Sequence, residues 1–274
     1  MKNTDLHTHS NYSDGTLTPK ELVKKAKLKR IKHIALTDHN CVQGIKEAIN
    51  AGKKLKIAII PGVEILSEWG EVLGYYIDIK NKELLKLLDK NQKELDAGAR
   101  VCIAELQNLN INISYAEVKK EFPKYPLMCF FVAQLLVKKG IIKTPSELYK
   151  EYIGKKFKLQ LNLPKMDGVI KIIKKAGGAA VLAHPFADSD YKKEFLNIKK
   201  LVKAGLDGIE VENGQYKLYN KKIKNKIIEI SHKYNLILTS GSDFHGKTVK
   251  SELGECLCDE EVIIKLKKRT QKGI

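Results

Sequence analysis

Five of the seven histidines in this 274-residue chain fall in four short acid-rich clusters. The clusters read Asp5-Leu6-His7-Thr8-His9 with Asp14 close behind, Thr37-Asp38-His39, Ala183-His184-Pro185 and Ser242-Asp243-Phe244-His245. Gly62-Val63-Glu64 adds a lone acid after another apolar run. Imidazole nitrogen and carboxylate oxygen are the ligand types that hold Zn, Mn or Fe in hydrolytic sites. Scattered surface histidines have no reason to sit beside acids at the ends of apolar runs. The pattern is that of a multinuclear metallohydrolase. His7 and His9 are two residues apart, which on a strand aims both side chains to one face. Asp243 and His245 repeat that spacing. His39 and His184 each follow an apolar run, and Glu64 is a candidate bridging carboxylate between two ions. Asp14, in Ser13-Asp14-Gly15, carries a turn signal as well. Asp38 either ligates, orients a histidine or caps the next helix. His33 and His232 lack such surroundings and read as structural.

The elements that must position these residues alternate. Thr18-Pro19-Lys20-Glu21 is a capping box with Pro at the first helical position, opening a helix to about Arg30. Strands are expected at His33–Leu36, Lys56–Ile60 and Glu71–Ile79, with a helix from about Val42 to Lys53 between the first two. From Asn81 to Leu163 strand pattern is almost absent. A long helix from Lys82 to about Leu109 and helix starts at Ser114-x-x-Glu117 and Thr144-Pro145-Ser146-Glu147 mark a helical insertion. Alternation resumes with strands at Ala179–Ala183, Gly208–Val211 and Leu236–Ser240. Helices over Met166–Ala176, Tyr191–Ala204, Lys217–Tyr234 and Asp259–Thr270 separate and follow them. Several strands end at a candidate ligand, as in a parallel α/β barrel, whose strand C-termini surround one mouth. The expected division is a barrel of residues 1–80 and 164–274 with a cap of residues 81–163.

Composition narrows the class. No apolar run approaches the roughly 20 residues that span a bilayer. The first motif begins at Asp5, leaving no room for a signal peptide, so a cytoplasmic protein without a membrane partner is expected. Five cysteines, an odd number, read as reduced thiols. Fifty Lys+Arg against 32 Asp+Glu give a net charge of +18, a field that attracts anions. Much of that excess falls on expected solvated helix faces, such as Lys24-Lys25, Lys171, Lys174-Lys175 and Lys221-Lys222. No obligate protein partner is evident.

Taken together, Asp-Leu-His-Thr-His-Ser…Ser-Asp-Gly, Thr-Asp-His, Pro-Gly-Val-Glu-Ile, Leu-Ala-His-Pro and Gly-Ser-Asp-Phe-His-Gly resemble the successive motifs of the PHP (polymerase and histidinol phosphatase) family. The match runs in order across both ends of the chain. Gly-Gly-Ala-Ala-Val-Leu-Ala-His-Pro and the helical insertion resemble one branch, that of the 3′,5′-nucleoside bisphosphate phosphatases and 5′-to-3′ exoribonucleases. The resemblance implies a distorted (β/α)7 barrel with two or three divalent ions. It implies that His7, His9, Glu64 and Asp243 hold one ion, and that Asp14, His39, His184 and His245 hold a second. The chain departs from that branch at two places. Glu71 stands where a histidine is common, and Met128-Cys129-Phe130-Phe131-Val132-Ala133 lacks the branch's histidine and arginine. Glu71 can still ligate a third ion; Phe131 cannot.

The expected reaction is hydrolysis of a phosphate ester of a nucleotide or short RNA by a metal-activated hydroxide. Manganese, zinc and iron all suit the ligand set. Asp14 and His184 are the candidates for proton transfer. Two other readings stay open: a histidinol-phosphatase-like enzyme on another small phosphate, and a non-catalytic metal-binding module.

Overall fold

Short apolar runs, most of them answered by an amphipathic helix, build the barrel wall. The computed structural model describes residues 2–123, 126–185, 191–214, 221–247 and 250–270, the side chains of 191–197 excepted. β1 (Lys2–Thr8), β2 (His33–Leu36) and β3 (Ala58–Ser67) are parallel neighbours. α1 (Pro19–Leu28) and α2 (Ile45–Leu55) connect them. The Thr18 hydroxyl accepts from the Glu21 N–H, and the Glu21 carboxylate accepts from the Thr18 N–H, so α1 begins with the expected reciprocal cap. β4 (Gly70–Tyr75) then folds back antiparallel on β3. The sequence pattern suggests a parallel barrel, but only Glu68 and Trp69 separate these two strands. A link that short makes a hairpin, because a parallel crossover needs a dozen residues or more.

α3 (Lys82–Asn108) follows. The chain divides into two compact units, Met1–Leu88 with Pro164–Ile274, and Asp89–Leu163. The boundary falls inside α3 because Leu84, Leu87 and Leu88 belong to the barrel's own apolar core. The second unit holds α4 (Tyr115–Glu121), α5 (Cys129–Lys138) and α6 (Pro145–Glu147), which runs into a π-helical turn over Leu148–Tyr152. Phe131 is 3% exposed in that unit's core and stacks on Phe122 with ring centroids 4.7 Å apart.

The barrel resumes with α7 (Met166–Lys175) and β5 (Ala179–Leu182), the latter antiparallel to β4. α8 (Tyr191–Ala204), β6 (Leu206–Asn213), α9 (Lys221–Tyr234) and β7 (Ile237–Gly241) continue in parallel. β8 (Cys258–Asp259) pairs antiparallel with β1 ahead of α10 (Glu260–Lys268). The sheet order is β7-β6-β5-β4-β3-β2-β1-β8. The ring nearly closes where β1 meets the segment after β7: the Asp243 N–H donates to the His7 carbonyl at 2.8 Å, and the His9 N–H to that of Phe244 at 2.9 Å. Gly241 permits this approach, since a Cβ there would lie 2.3 Å from the His7 Cβ. Lys174, expected on a solvated face, instead donates to Asp207 at 2.6 Å.

Leu73 and Tyr75 share a face of β4 with Glu71, and Ile60 shares a face of β3 with Glu64, by period-two alternation. The Tyr75 hydroxyl donates to the Leu6 carbonyl at 2.9 Å, although two strands separate β4 from β1 in the sheet. That face is therefore the barrel interior. Apolar side chains fill it, and the carboxylates stand at its end. No helix of the described residues is long and apolar enough to cross a membrane.

Candidate metal centre

Six strands carry the candidate residues to one mouth. The end of β1 supplies His7, with His9 just past it, the exit of β2 supplies Asp38 and His39, and β3 carries Glu64. Because β4 is antiparallel, its start lies beside the end of β3, which puts Glu71 at the mouth. His184 and Asp243 follow β5 and β7. Both sit at positive φ, 21° and 51°, where non-glycine residues are uncommon and strain accompanies function.

Among the described residues three groups of ligand atoms emerge, each within 4.8 Å of one another: His7, His9, Glu64 and Asp243; His9, Asp14, His39 and His245; and His39, Glu64 and Glu71. In the first, His7 Nε2 lies 3.1 Å from Glu64 Oε2, and His9 Nε2 lies 3.2 Å from Asp243 Oδ1. In the second, Asp14 reaches His245 Nε2 at 3.3 Å, His39 Nε2 at 3.6 Å and His9 Nδ1 at 3.7 Å. In the third, His39 Nδ1 lies 3.1 Å from Glu64 and 3.2 Å from Glu71. The first group is the one expected. The second differs from expectation in one member: His9 stands in it, and His184 does not. His184 Nε2 instead lies 3.0 Å from Glu64 and 3.4 Å from Glu71.

The electrostatics are those of a charge nest. Burial opposes ionisation of Asp243, but the charge of His7 and the close approach and charge of His9 and His245 hold its carboxyl well below the usual range. Burial likewise lowers the His184 imidazole, but the Glu64 hydrogen bond and charge, then Glu71 and Asp243, raise it to about 9. His245, depressed by burial, is carried to about 9 chiefly by Asp14. His9 Nε2 and Asp243 Oδ1 are buried and face each other, yet neither makes a hydrogen bond of acceptable geometry. A buried polar atom left that way costs on the order of 1–3 kcal/mol. A cation that both atoms can ligate fits them, and a nitrogen–oxygen set without sulfur suits a divalent ion of the borderline or hard kind.

Asp38 stands outside all three groups. Its carboxylate accepts from the Ser10 N–H at 2.7 Å and from the Ser10 and Ser13 hydroxyls at 2.7 and 2.8 Å, so it braces the loop that carries Asp14. It does not cap the next helix, and it reaches the nest through Ser13, whose hydroxyl lies 3.5 Å from His9 Nδ1. His33, bonded to Thr4, and the exposed His232 lie outside the groups as well. Two acids escaped the sequence reading as site residues. Asp5, whose cluster was noted for its histidines, is buried and accepts from the backbone N–H groups of Ser242 and Gly254 at 2.8 and 2.9 Å, tying β1 to the loops after β7. Glu210 is 0% exposed and lies 3.1 Å from His7 Nδ1. An acid inside the apolar stretch Gly208–Val211 was the available signal.

The model of the PHP domain matches residues 5–261. A 3′,5′-nucleoside bisphosphate phosphatase from Chromobacterium violaceum is 31% identical over 257 residues, 89% of this chain and 88% of its own. A 5′-3′ exoribonuclease from Haemophilus influenzae is 31% identical over 268 residues, 93% of this chain and 94% of its own. A solved structure from Bifidobacterium adolescentis superposes with a TM-score of 0.88 at 24% identity, covering 98% of this chain and 96% of that one.

Proposed function

The chain belongs to the PHP domain family of metal-dependent phosphoesterases, and from that premise we propose that it hydrolyses phosphate esters of nucleotides or short RNA. The observation that carries this reading is the pair of four-residue groups sharing His9. His7, His9, Glu64 and Asp243 are assigned to one ion. Asp14, His39 and His245, with His9 alongside, are assigned to a second. Glu71, with His39 and Glu64, offers a third position. Manganese, zinc and iron all suit these donors. Divalent ions held there supply positive charge for a phosphoryl group and make water more acidic.

The chain's own residues divide the remaining work. Asp14, set among three imidazoles, is committed as a ligand. His184 lies outside both four-residue groups and is bonded to Glu64 through Nε2. It is the better placed of the two to hold the proton that a leaving oxygen takes. Glu64, within 3.3 Å of His7, His9, His39 and His184, couples the groups. The net charge of +18 favours an anionic substrate, and the two relatives above are named for nucleotide and RNA substrates.

The test is turnover of an aryl phosphate by metal-reconstituted protein, then a panel of a nucleoside 3′,5′-bisphosphate, the matching monophosphate and a short 5′-phosphorylated RNA. Metal-dependent release of phosphate or nucleotide from one of the last three is expected. Activity confined to a small non-nucleotide phosphate ester would overturn the substrate class.

A further inference from the structure

We infer that Glu210 is a positioning residue that decides which nitrogen of His7 faces the metal group, and that it links this decision to the turn at His184. The inference rests on the metal reading above. Glu210 is wholly buried near the end of β6 and touches three parts of the site. Its Oε1 lies 3.1 Å from His7 Nδ1. Its Oε2 accepts from the His184 backbone N–H at 2.8 Å and from Asn213 Nδ2 at 3.0 Å. Asn213 Nδ2 also lies 3.3 Å from Asp243 Oδ2.

In a regular strand Glu210 and Asn213 would point to opposite faces. The pairing of β6 with β7 shifts register between Glu210 and Glu212. That irregularity lets the Asn213 amide reach the Glu210 carboxylate, a use of strand bulges common beside functional sites. With Oε2 occupied by two N–H donors, Oε1 is left to accept from His7 Nδ1–H. The proton on Nδ1 leaves Nε2 as the ligating atom, and Nε2 is the nitrogen 3.1 Å from Glu64 and 3.4 Å from Asp243. A carboxylate bonded to the far nitrogen of a metal-binding histidine fixes its tautomer and orientation.

The isosteric change Glu210→Gln separates this role from packing. Glutamine keeps the volume and can keep a hydrogen bond to every neighbour. However, its oxygen is drawn to the two N–H donors, so its NH2 faces His7 Nδ1. His7 must then carry its proton on Nε2, the nitrogen needed for the ion. Zinc affinity, measured by competition with a chelating dye, should fall about 10- to 100-fold, while the far-ultraviolet circular dichroism of the metal-free protein is unchanged. Nitrogen-15 histidine spectra of zinc-loaded wild type should show the His7 Nδ1–H, and that signal should be lost in the variant. Wild-type affinity with the Nδ1–H retained would overturn the inference while leaving the metal site standing. Wild-type protein that takes up no zinc, manganese or iron would overturn the metal reading itself, and this inference with it. If Glu210→Gln does not fold, Glu210→Asp carries the same test. It keeps the charge but withdraws it from His7, and unchanged zinc affinity there would equally overturn the proposal.

Discussion

The barrel mouth and the second compact unit bury opposite kinds of side chain. At the barrel mouth His7, His9, Glu64, Asp243 and His245 are almost wholly enclosed. In Asp89–Leu163 the enclosed residues are apolar, among them Cys102, Leu106, Phe131, Val132 and Leu136. Burial of charge without a partner is costly, so the first region holds together only while its acids and imidazoles answer one another. Burial of the second set is itself the stabilising term, about 25 cal/mol per Å² of apolar surface. Substitutions should therefore act on metal and turnover in one region and on folding free energy in the other.

The sharpest break of this contrast is at the nest. Asp243→Ala or His9→Ala should lower turnover about a thousandfold or more, since several kcal/mol of transition-state charge stabilisation is at stake. Metal content should fall with it, while circular dichroism stays close to wild type. Near-wild-type kcat in either variant would contradict the ligand assignment. The converse is Phe131→Ala, which should cost about 3–5 kcal/mol in urea unfolding of that unit and leave the bound-metal count unaltered. A loss of metal in that variant would show that the two regions are not separable in this way.

Smaller effects grade the nest itself. The group of His39, Glu64 and Glu71 is the more exposed, with His39 and Glu71 side chains 17% and 20% accessible. Glu71→Ala should cost about tenfold in turnover, roughly 1.4 kcal/mol, and remove at most the weakest-bound ion. Metal analysis showing loss of all ions would make Glu71 an equal member of the principal groups.

The gentlest probe is pH. In metal-stripped protein His184 and His245 titrate near 9, above the ordinary 6.5, so protonation stabilises the fold. That contribution is complete below about pH 6.5 and is lost as pH rises through about 9. A divalent ion held by His245 needs that imidazole deprotonated, so its stabilisation grows over that interval. The Tm gap between metal-loaded and stripped protein should widen from pH 6.5 to 9. A constant or narrowing gap would mean that His245 does not meet the ion.

Much of the site was readable because its chemistry is written in short local patterns. Aspartates and histidines two apart, and histidines at the ends of apolar runs, mark places where a strand delivers a side chain to an edge. Turn and cap chemistry did as well: Thr18 and Glu21, and Ser114 and Glu117, form the reciprocal caps their spacing suggests. Glu210 was harder. On the page it is one of three acids in Asp207–Glu212, and nothing local separates the one facing His7 from Glu212, which pairs outward with Lys224 at 2.9 Å.

By itself, then, the sequence determined the ligand types, the alternation of strand and helix, and the helical character of the insertion, because these depend on side-chain chemistry and on periods of a few residues. Only the tertiary structure decided which residues share an ion's reach. His184 lies with Glu64 and Glu71, and His9 stands in two groups at once. It also decided that β4 runs backwards and so brings Glu71 to the mouth, and that a shifted register turns Asn213 toward Glu210. The reason is one of range. Which of many matching acids and imidazoles meet depends on strand order, register and barrel closure, set by contacts between residues far apart in the chain, 237 positions in the case of Asp5 and Ser242.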